Sequence, residues 1–289
     1  MNSPRQPEGI DQLIAAHFAI EGEAAKENGA LGFMARALVQ ATLPHRRAEG
    51  CEFIRRNGEH TLTLYAPTQF GLPFGTIPRL LIAWMTLEAV KTKSRELVLG
   101  DSLSAFMRQL DLVPTGGRWG SVTRLRRQTL SLFSSTITFH SGNASRDALA
   151  GLRIADEAEL WWKPRSPAQA ALWKSTVLLT EKFYEEVTTR PVPIDLRAIC
   201  ALKKSPLALD IYCWLTHRFS YLSRPTDIHW PGLAAQFGSN YNRPRAFKEA
   251  FLDALKKVQV VYPEAQVSES VHGILLNPSR PHVTRKMTL

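Results

Sequence analysis

Residues Asp101–Phe133 read DSLSAFMRQLDLVPTGGRWGSVTRLRRQTLSLF. This stretch predicts a short helix, a glycine turn and a longer basic helix. Ser102 can cap the first helix, whose apolar face is Leu103, Phe106, Met107 and Leu110. Gly116-Gly117 supplies residues that accept positive φ, where a helix is hard to continue. In the second helix Val122, Leu125, Thr129, Leu132 and Phe133 recur at helical spacing and fill one stripe. The opposite face carries Gly120, Thr123, Arg124, Arg127 and Ser131, with Arg118 at its entrance and Arg126 on its flank. A rod anchored on one side and lined with Arg, Thr and Ser on the other suits the DNA major groove. A solvated basic face would give the same pattern from a single copy.

A second copy lies at His229–Val258, HWPGLAAQFGSNYNRPRAFKEAFLDALKKV. Pro231 opens a short helix, and Gly238-Ser239-Asn240-Tyr241-Asn242 is rich in turn residues. The long helix after this turn has Phe247, Ala250, Phe251, Ala254, Leu255 and Val258 as its apolar stripe. Arg245, Lys248, Glu249 and Lys256 are left outward. Two basic helix–turn–helix patterns in one chain carry far more weight than one.

The 289 residues suffice for two domains with proper cores. A hydrophobic content of 44% excludes wholesale disorder, and no apolar run approaches the length of a membrane span. The N-terminus has no signal-peptide order. A net charge of +10 favours a polyanionic partner. Cys51, Cys200 and Cys213 show no zinc or redox spacing and read as reduced thiols of a cytosolic protein.

Along the chain, Ile10–Ala25 and Ala30–Ala41 have helical spacing and form an extension, residues 1–50, that either docks on the rest of the chain or remains an arm. Cys51–Ala66 is a hairpin signal around Asn57-Gly58, the pair favoured in type I′ turns. Pro78–Thr92 is a buried helix and Glu96–Gly100 a short strand. Ser135–His140 and Leu149–Trp162 alternate like the two strands of a hairpin. Helix, strand, two helices and a hairpin is the order of a winged helix, with Trp161-Trp162 either packed beneath the wing or exposed. Thr188–Pro193 breaks any helix and marks the boundary between an N-terminal domain, 51–190, and a C-terminal domain, 191–289. In the second domain Asp195 caps Leu196–Lys203, and a long apolar helix runs from Pro206 to Leu222. Thr226–Trp230 is a strand, and Val260–Tyr262 with Gln266–Leu276 form a second wing before a basic tail. The fold class is therefore α+β, mainly helical, with two tandem winged-helix domains and a helical N-terminal extension.

The eight histidines have no metal spacing, no phosphate-binding loop or nucleophile elbow is present, and the glycines at 116, 117 and 120 match a dinucleotide fingerprint poorly. No enzyme, metal or cofactor is expected.

The segments LPFGTIPRLLIAWMTLEAVKTKS and LVLGDSLSAFMRQLDLVPTGGRWGSVTRLRRQ, with the later helix IYCWLTHRFSYL, resemble the plasmid RepA family of replication initiators, which is similar to TrfA-like initiators. The resemblance implies binding to double-stranded DNA at repeated origin sites (iterons), help in opening an adjacent AT-rich segment, and recruitment of host DnaA and the replicative helicase in the bacterial cytoplasm. It implies a homodimer in equilibrium with monomer, the dimer repressing its own gene, and no ATPase or nicking activity. The N-terminal winged helix would dimerise and touch the backbone through Arg118, Thr123, Arg124 and Arg127. The C-terminal one would read the iteron through Arg243–Lys257, with Arg245, Lys248 and Glu249 near base edges, Lys256 further along, and Asn240, Tyr241 and Asn242 in the turn. Because the second helix has fewer arginines, the first is open to base reading too, and Glu249 is open to a surface pairing with Arg245 or Lys256. A winged-helix transcriptional repressor, a DNA-processing enzyme and a protein scaffold are the competing readings.

Overall fold

The computed structural model describes residues 8–143, 146–162, 175–238, 241 and 243–284. The chain begins with α1 (Glu8–Gly22), β1 (Leu31–Met34) and α2 (Arg36–Gln40). The helix expected over 30–41 is thus a strand and then little more than one turn. Tertiary pairing overrides the local pattern: β1 runs antiparallel to β9 (Val192–Asp195), with Leu31 opposite Asp195 and Met34 opposite Val192. Gly32 suits this site, since a side chain there would collide with Leu196. The extension docks rather than hanging free. Leu13 of α1 is buried, and Arg197 donates to the carbonyls of Ala19 (2.6 Å) and Glu23 (2.9 Å), satisfying the end of α1.

The hairpin signal yields β2 (Glu52–Asn57) and β3 (His60–Tyr65). Asn57 pairs with His60, so the loop is Gly58-Glu59 rather than Asn57-Gly58, with Gly58 at φ 59°. Glycine in that first loop position is the requirement of a type II′ turn, not the type I′ expected.

A recurring unit comes next in the chain. α3 (Thr76–Thr92) leads to β4 (Glu96–Val98), α4 (Leu103–Gln109) and α5 (Ser121–Ser134). Ser102 caps α4 by accepting from the Ala105 amide at 3.1 Å. The strand expected over 149–162 is in fact two strands in two sheets. β5 (Thr136–Asn143) and β6 (Arg146–Arg153) extend the first hairpin into a four-stranded antiparallel sheet of order β2-β3-β5-β6. At Ile154, fully buried, the chain crosses to a second sheet, where β7 (Ala155–Glu159) pairs with β8 (Thr176–Leu179) and β8 with β4. The residues joining β7 to β8, 163–174, lie outside the described residues. α6 (Glu181–Thr189) and β9 carry the chain into the second half. Trp162 packs against the core and Trp161 is half-buried.

The second half contains α7 (Leu196–Leu202), α8 (Pro206–Phe219), β10 (Thr226–His229), α9 (Trp230–Phe237), α10 (Pro244–Val261), β11 (Val267–Glu269) and β12 (Gly273–Leu276). Its sheet order, β10-β12-β11, repeats β4-β8-β7: in each the first strand pairs with the last and the last with the middle. The strand expected over 260–262 is instead the end of α10, because buried Val258 and Val261 prolong its apolar stripe and the Tyr262 amide still donates to the Val258 carbonyl. Asp195 and Ser205 cap α7 and α8 through the amides of Arg197 (2.8 Å) and Ala208 (3.2 Å).

The two halves share one continuous apolar core, crossed by a buried polar seam. Arg79 of α3 holds Asp210 of α8 in a bidentate pair, Nε to Oδ1 at 2.7 Å and Nη2 to Oδ2 at 2.6 Å. The same guanidinium donates to the carbonyls of Leu43 (2.8 Å), Pro44 (3.3 Å) and Gly75 (2.6 Å), and His45 Nε2 lies 2.7 Å from Asp210 Oδ2. Burial pushes the Asp210 carboxyl upward, but Arg79 and His45 outweigh it and hold the group below its ordinary value. Burial in turn lowers His45. Arg55, beside this seam, is also buried, brought down to about 10 by desolvation, and donates to the Gly238 carbonyl at 2.5 Å. No helix among the described residues is long and apolar enough to cross a membrane.

Candidate nucleic-acid interface

α5 is fixed to the protein by one face. Leu125 and Leu132 are fully buried, Val122 and Phe133 pack at the margin, and two polar residues join them as anchors. The Gln128 side chain accepts from the Phe74 amide (2.8 Å), and the Ser131 hydroxyl donates to the Phe70 carbonyl (2.8 Å). These bonds tie the helix to the loop before α3. Ser131 and Gly120 therefore leave the outward face on which the periodicity placed them: Ser131 is spent on that loop, and Gly120 is buried under the turn.

The turn into α5 is heavily cross-bonded. Thr115 and Ser121 exchange bonds, each hydroxyl accepting from the other's amide at 2.8 Å, and Ser121 also donates to the Val113 carbonyl at 2.6 Å. Gly117 has φ 83°, and a side chain at Gly120 would run into the carbonyl oxygens of Thr115 and Gly116. Thr123 donates to the Gly117 carbonyl at 2.8 Å, so its hydroxyl braces the turn as well as facing out.

Arg118, Arg124, Arg126 and Arg127 remain exposed, and none takes part in an ion pair among the described residues. Arg127 lies over the Phe74 ring at 5.5 Å. The acid nearest this turn in sequence, Asp111, is held by Lys203. α5 and its entrance thus present a group of guanidinium side chains that no carboxylate among the described residues neutralises, the electrostatic condition for holding phosphates.

α10 differs. Its stripe is buried as expected, with Phe247, Phe251, Ala254, Leu255 and Val258 in the core. Several of its cations are already paired, however. Arg245 donates to Glu249 at 2.8 Å, both far out in solvent, so Glu249 takes the surface pairing and lifts the Arg245 guanidinium above its ordinary value. Lys248 is drawn toward the β11–β12 hairpin, 2.6 Å from Glu269 and with its ammonium 5.3 Å from the Trp230 ring centre. Lys257 pairs with Asp253 at 2.6 Å. Arg243 and Lys256 are exposed. Tyr241, expected in a DNA-facing turn, is half-buried against Phe247 (5.6 Å) with the Arg46 guanidinium at 5.6 Å, because its ring packs better on the core edge than in water. Asn240 and Asn242 lie outside the described residues.

The family model described as plasmid-encoded RepA protein matches residues 72–229, more than half of the chain and the part that contains α3–α8 and β10. The chain belongs to the plasmid RepA family of replication initiators. Among curated proteins no significant match is found. Two solved structures of RctB domains 2 and 3 are similar across nearly the whole fold. One has TM-score 0.51 at 12% identity over 82% of this chain and 93% of that one. The other has TM-score 0.56 at 10% identity over 86% and 97%. At such identities the likeness is one of fold.

Among the described residues no three His, Cys, Asp or Glu side chains converge as they would around a metal ion. One exposed group had escaped the sequence reading. Trp119, next to Arg118, is 78% exposed. Its signal was present, since a large aromatic inside the glycine-rich TGGRWG has no helical stripe to join.

Proposed function

We propose that this member of the RepA family initiates plasmid replication by binding repeated sites in double-stranded origin DNA through two winged helices. Each repeat supplies one: α3–β4–α4–α5 with the β7–β8 wing, and α8–β10–α9–α10 with the β11–β12 wing. The observation that carries the reading is α5, where Arg124, Arg126 and Arg127 stand in solvent with no carboxylate partner among the described residues. α10 reads the iteron through Arg243, Arg245 and Lys256, and Arg245 exchanges its exposed Glu249 partner for guanine at little cost, since such surface pairs are weak. α5 tracks the backbone and, being richer in free arginine, contributes to base reading as well.

Bound in this way the protein opens neighbouring DNA and recruits host DnaA and the replicative helicase, acting by binding and not by catalysis, in the bacterial cytoplasm. A homodimer in equilibrium with the monomer represses the gene. The β6 edge supports self-association, because Ala148, Leu149, Ala150 and Gly151 are exposed on a strand with no second neighbour among the described residues.

Footprinting the purified protein on its own plasmid origin tests the proposal, with replication of that origin in a naive host as the second readout. Regularly repeated protected windows and a replicating plasmid are expected. Protection at the gene's promoter alone, without replication, would make it a transcriptional repressor instead.

A further inference from the structure

An indole left in water is costly, and nothing in the packing of α4 or α5 requires Trp119 to stand where it does. It sits on a turn that is over-determined by the Thr115–Ser121 exchange, the Ser121–Val113 bond and the Thr123–Gly117 bond, so its exposure is built in and not a consequence of a loose loop. Val113, in the same connection between α4 and α5, is 77% exposed. The Arg118 guanidinium lies 5.2 Å from the indole centre, and most of the remaining ring surface is open to solvent. Arg118 in the turn, and Arg124 and Arg127 in the first two turns of α5, are exposed cations that take part in no ion pair among the described residues.

A rigid π surface flanked by cations selects a ligand that carries both phosphate and a free aromatic face. Bases in an intact duplex already have both faces covered by their neighbours. An unpaired base does not. We propose that Trp119 is a stacking platform for one unpaired base of an opened DNA strand, with Arg118, Arg124 and Arg127 holding the phosphates on either side. The proposal rests on the DNA-binding reading above and deepens it: the same helix end that docks on duplex DNA would trap a strand once it has come apart.

The test uses the full chain and two labelled DNAs, a duplex and the same duplex carrying a central run of mismatched bases. The wild type is expected to bind the mismatched DNA more tightly than the duplex. Trp119→Ala is expected to weaken binding to the mismatched DNA by about five- to a hundred-fold, the range for losing one base–aromatic stack, while duplex affinity and the melting temperature stay as they were. Trp119→Phe keeps a ring and should retain most of the preference. Equal wild-type affinity for the two DNAs, or an alanine variant that loses neither or both to the same degree, overturns the stacking role. A wild type that binds neither DNA at low salt removes the DNA-binding reading itself, whereas tight duplex binding with an inert Trp119 removes only this inference.

Discussion

Replacing Arg79 with alanine removes the centre of the buried seam between the two repeats. Five contacts go at once: two charge-assisted bonds to Asp210 and three to the carbonyls of Leu43, Pro44 and Gly75. The Asp210 side chain, only 10% exposed, is left with His45 as its sole partner among those contacts. Breaking a buried ion pair from one side costs about 3–5 kcal/mol, because the remaining charge is stranded away from water. At roughly 2–4 °C per kcal/mol for a chain of this size, the melting temperature should fall by about 10 °C. Thermal unfolding monitored by circular dichroism at neutral pH measures this directly. A partner experiment separates desolvated charge from lost volume: Arg79→Met with Asp210→Leu should unfold at a higher temperature than Arg79→Met alone, since the double variant strands no carboxylate. A shift for Arg79→Ala below about 2 °C, or a double variant worse than the single one, would show that the seam does not hold the two repeats together.

Stability should also decline on the acid side. His45, His217 and His282 are all lowered by burial, so below the ordinary histidine value of about 6.5 the unfolded chain takes up protons that the folded chain refuses. Unfolding free energy measured in urea should therefore fall from neutral pH down to the folded values of these groups. Asp210, held below its ordinary value, adds stability above about pH 3.9 that disappears as pH drops through its lower folded value; a flat profile from about pH 7 to about pH 5 would contradict the sign assigned to the histidines. Arg245→Ala should weaken binding to the plasmid's own origin by about 1–3 kcal/mol in competition assays while hardly changing binding to random duplex, and equal losses on the two would place Arg245 on phosphate alone. Gly120→Ala should lower the melting temperature and the DNA affinity together, by about 1–3 kcal/mol in stability, because the added methyl meets two carbonyl oxygens of the turn; an unperturbed variant would show that the turn yields easily.

The elements that local chemistry determines were readable in the chain itself. The stripes of α5 and α10, the Ser102 and Asp195 caps and the proline-opened helices all come from spacing within one segment. What escaped depends on residues far apart. β1 exists because β9, roughly 160 positions later, supplies its ladder, and no window around Leu31 contains that partner. The split between β6 and β7 turns on Ile154, one buried residue within a run that alternates as one strand would. Arg79, Asp210 and His45 come from three separate segments, so Asp210 read alone carried no sign of its partners. At the candidate interface, the exposed arginines of α5 were legible because their spacing against its apolar stripe lies within one helix. Lys248 and Tyr241 were not, because Glu269 and Arg46, which hold them, are contributed by other segments.

In the proposed function α5 lies against DNA phosphates. The measurement that meets it most squarely is the salt dependence of duplex binding for the wild type and for a variant with Arg124, Arg126 and Arg127 all replaced by alanine. Each phosphate neutralised contributes about 0.9 to the slope of log affinity against log salt, so the triple variant should lose about 2.7 of that slope. A slope that does not change would place these arginines away from the DNA.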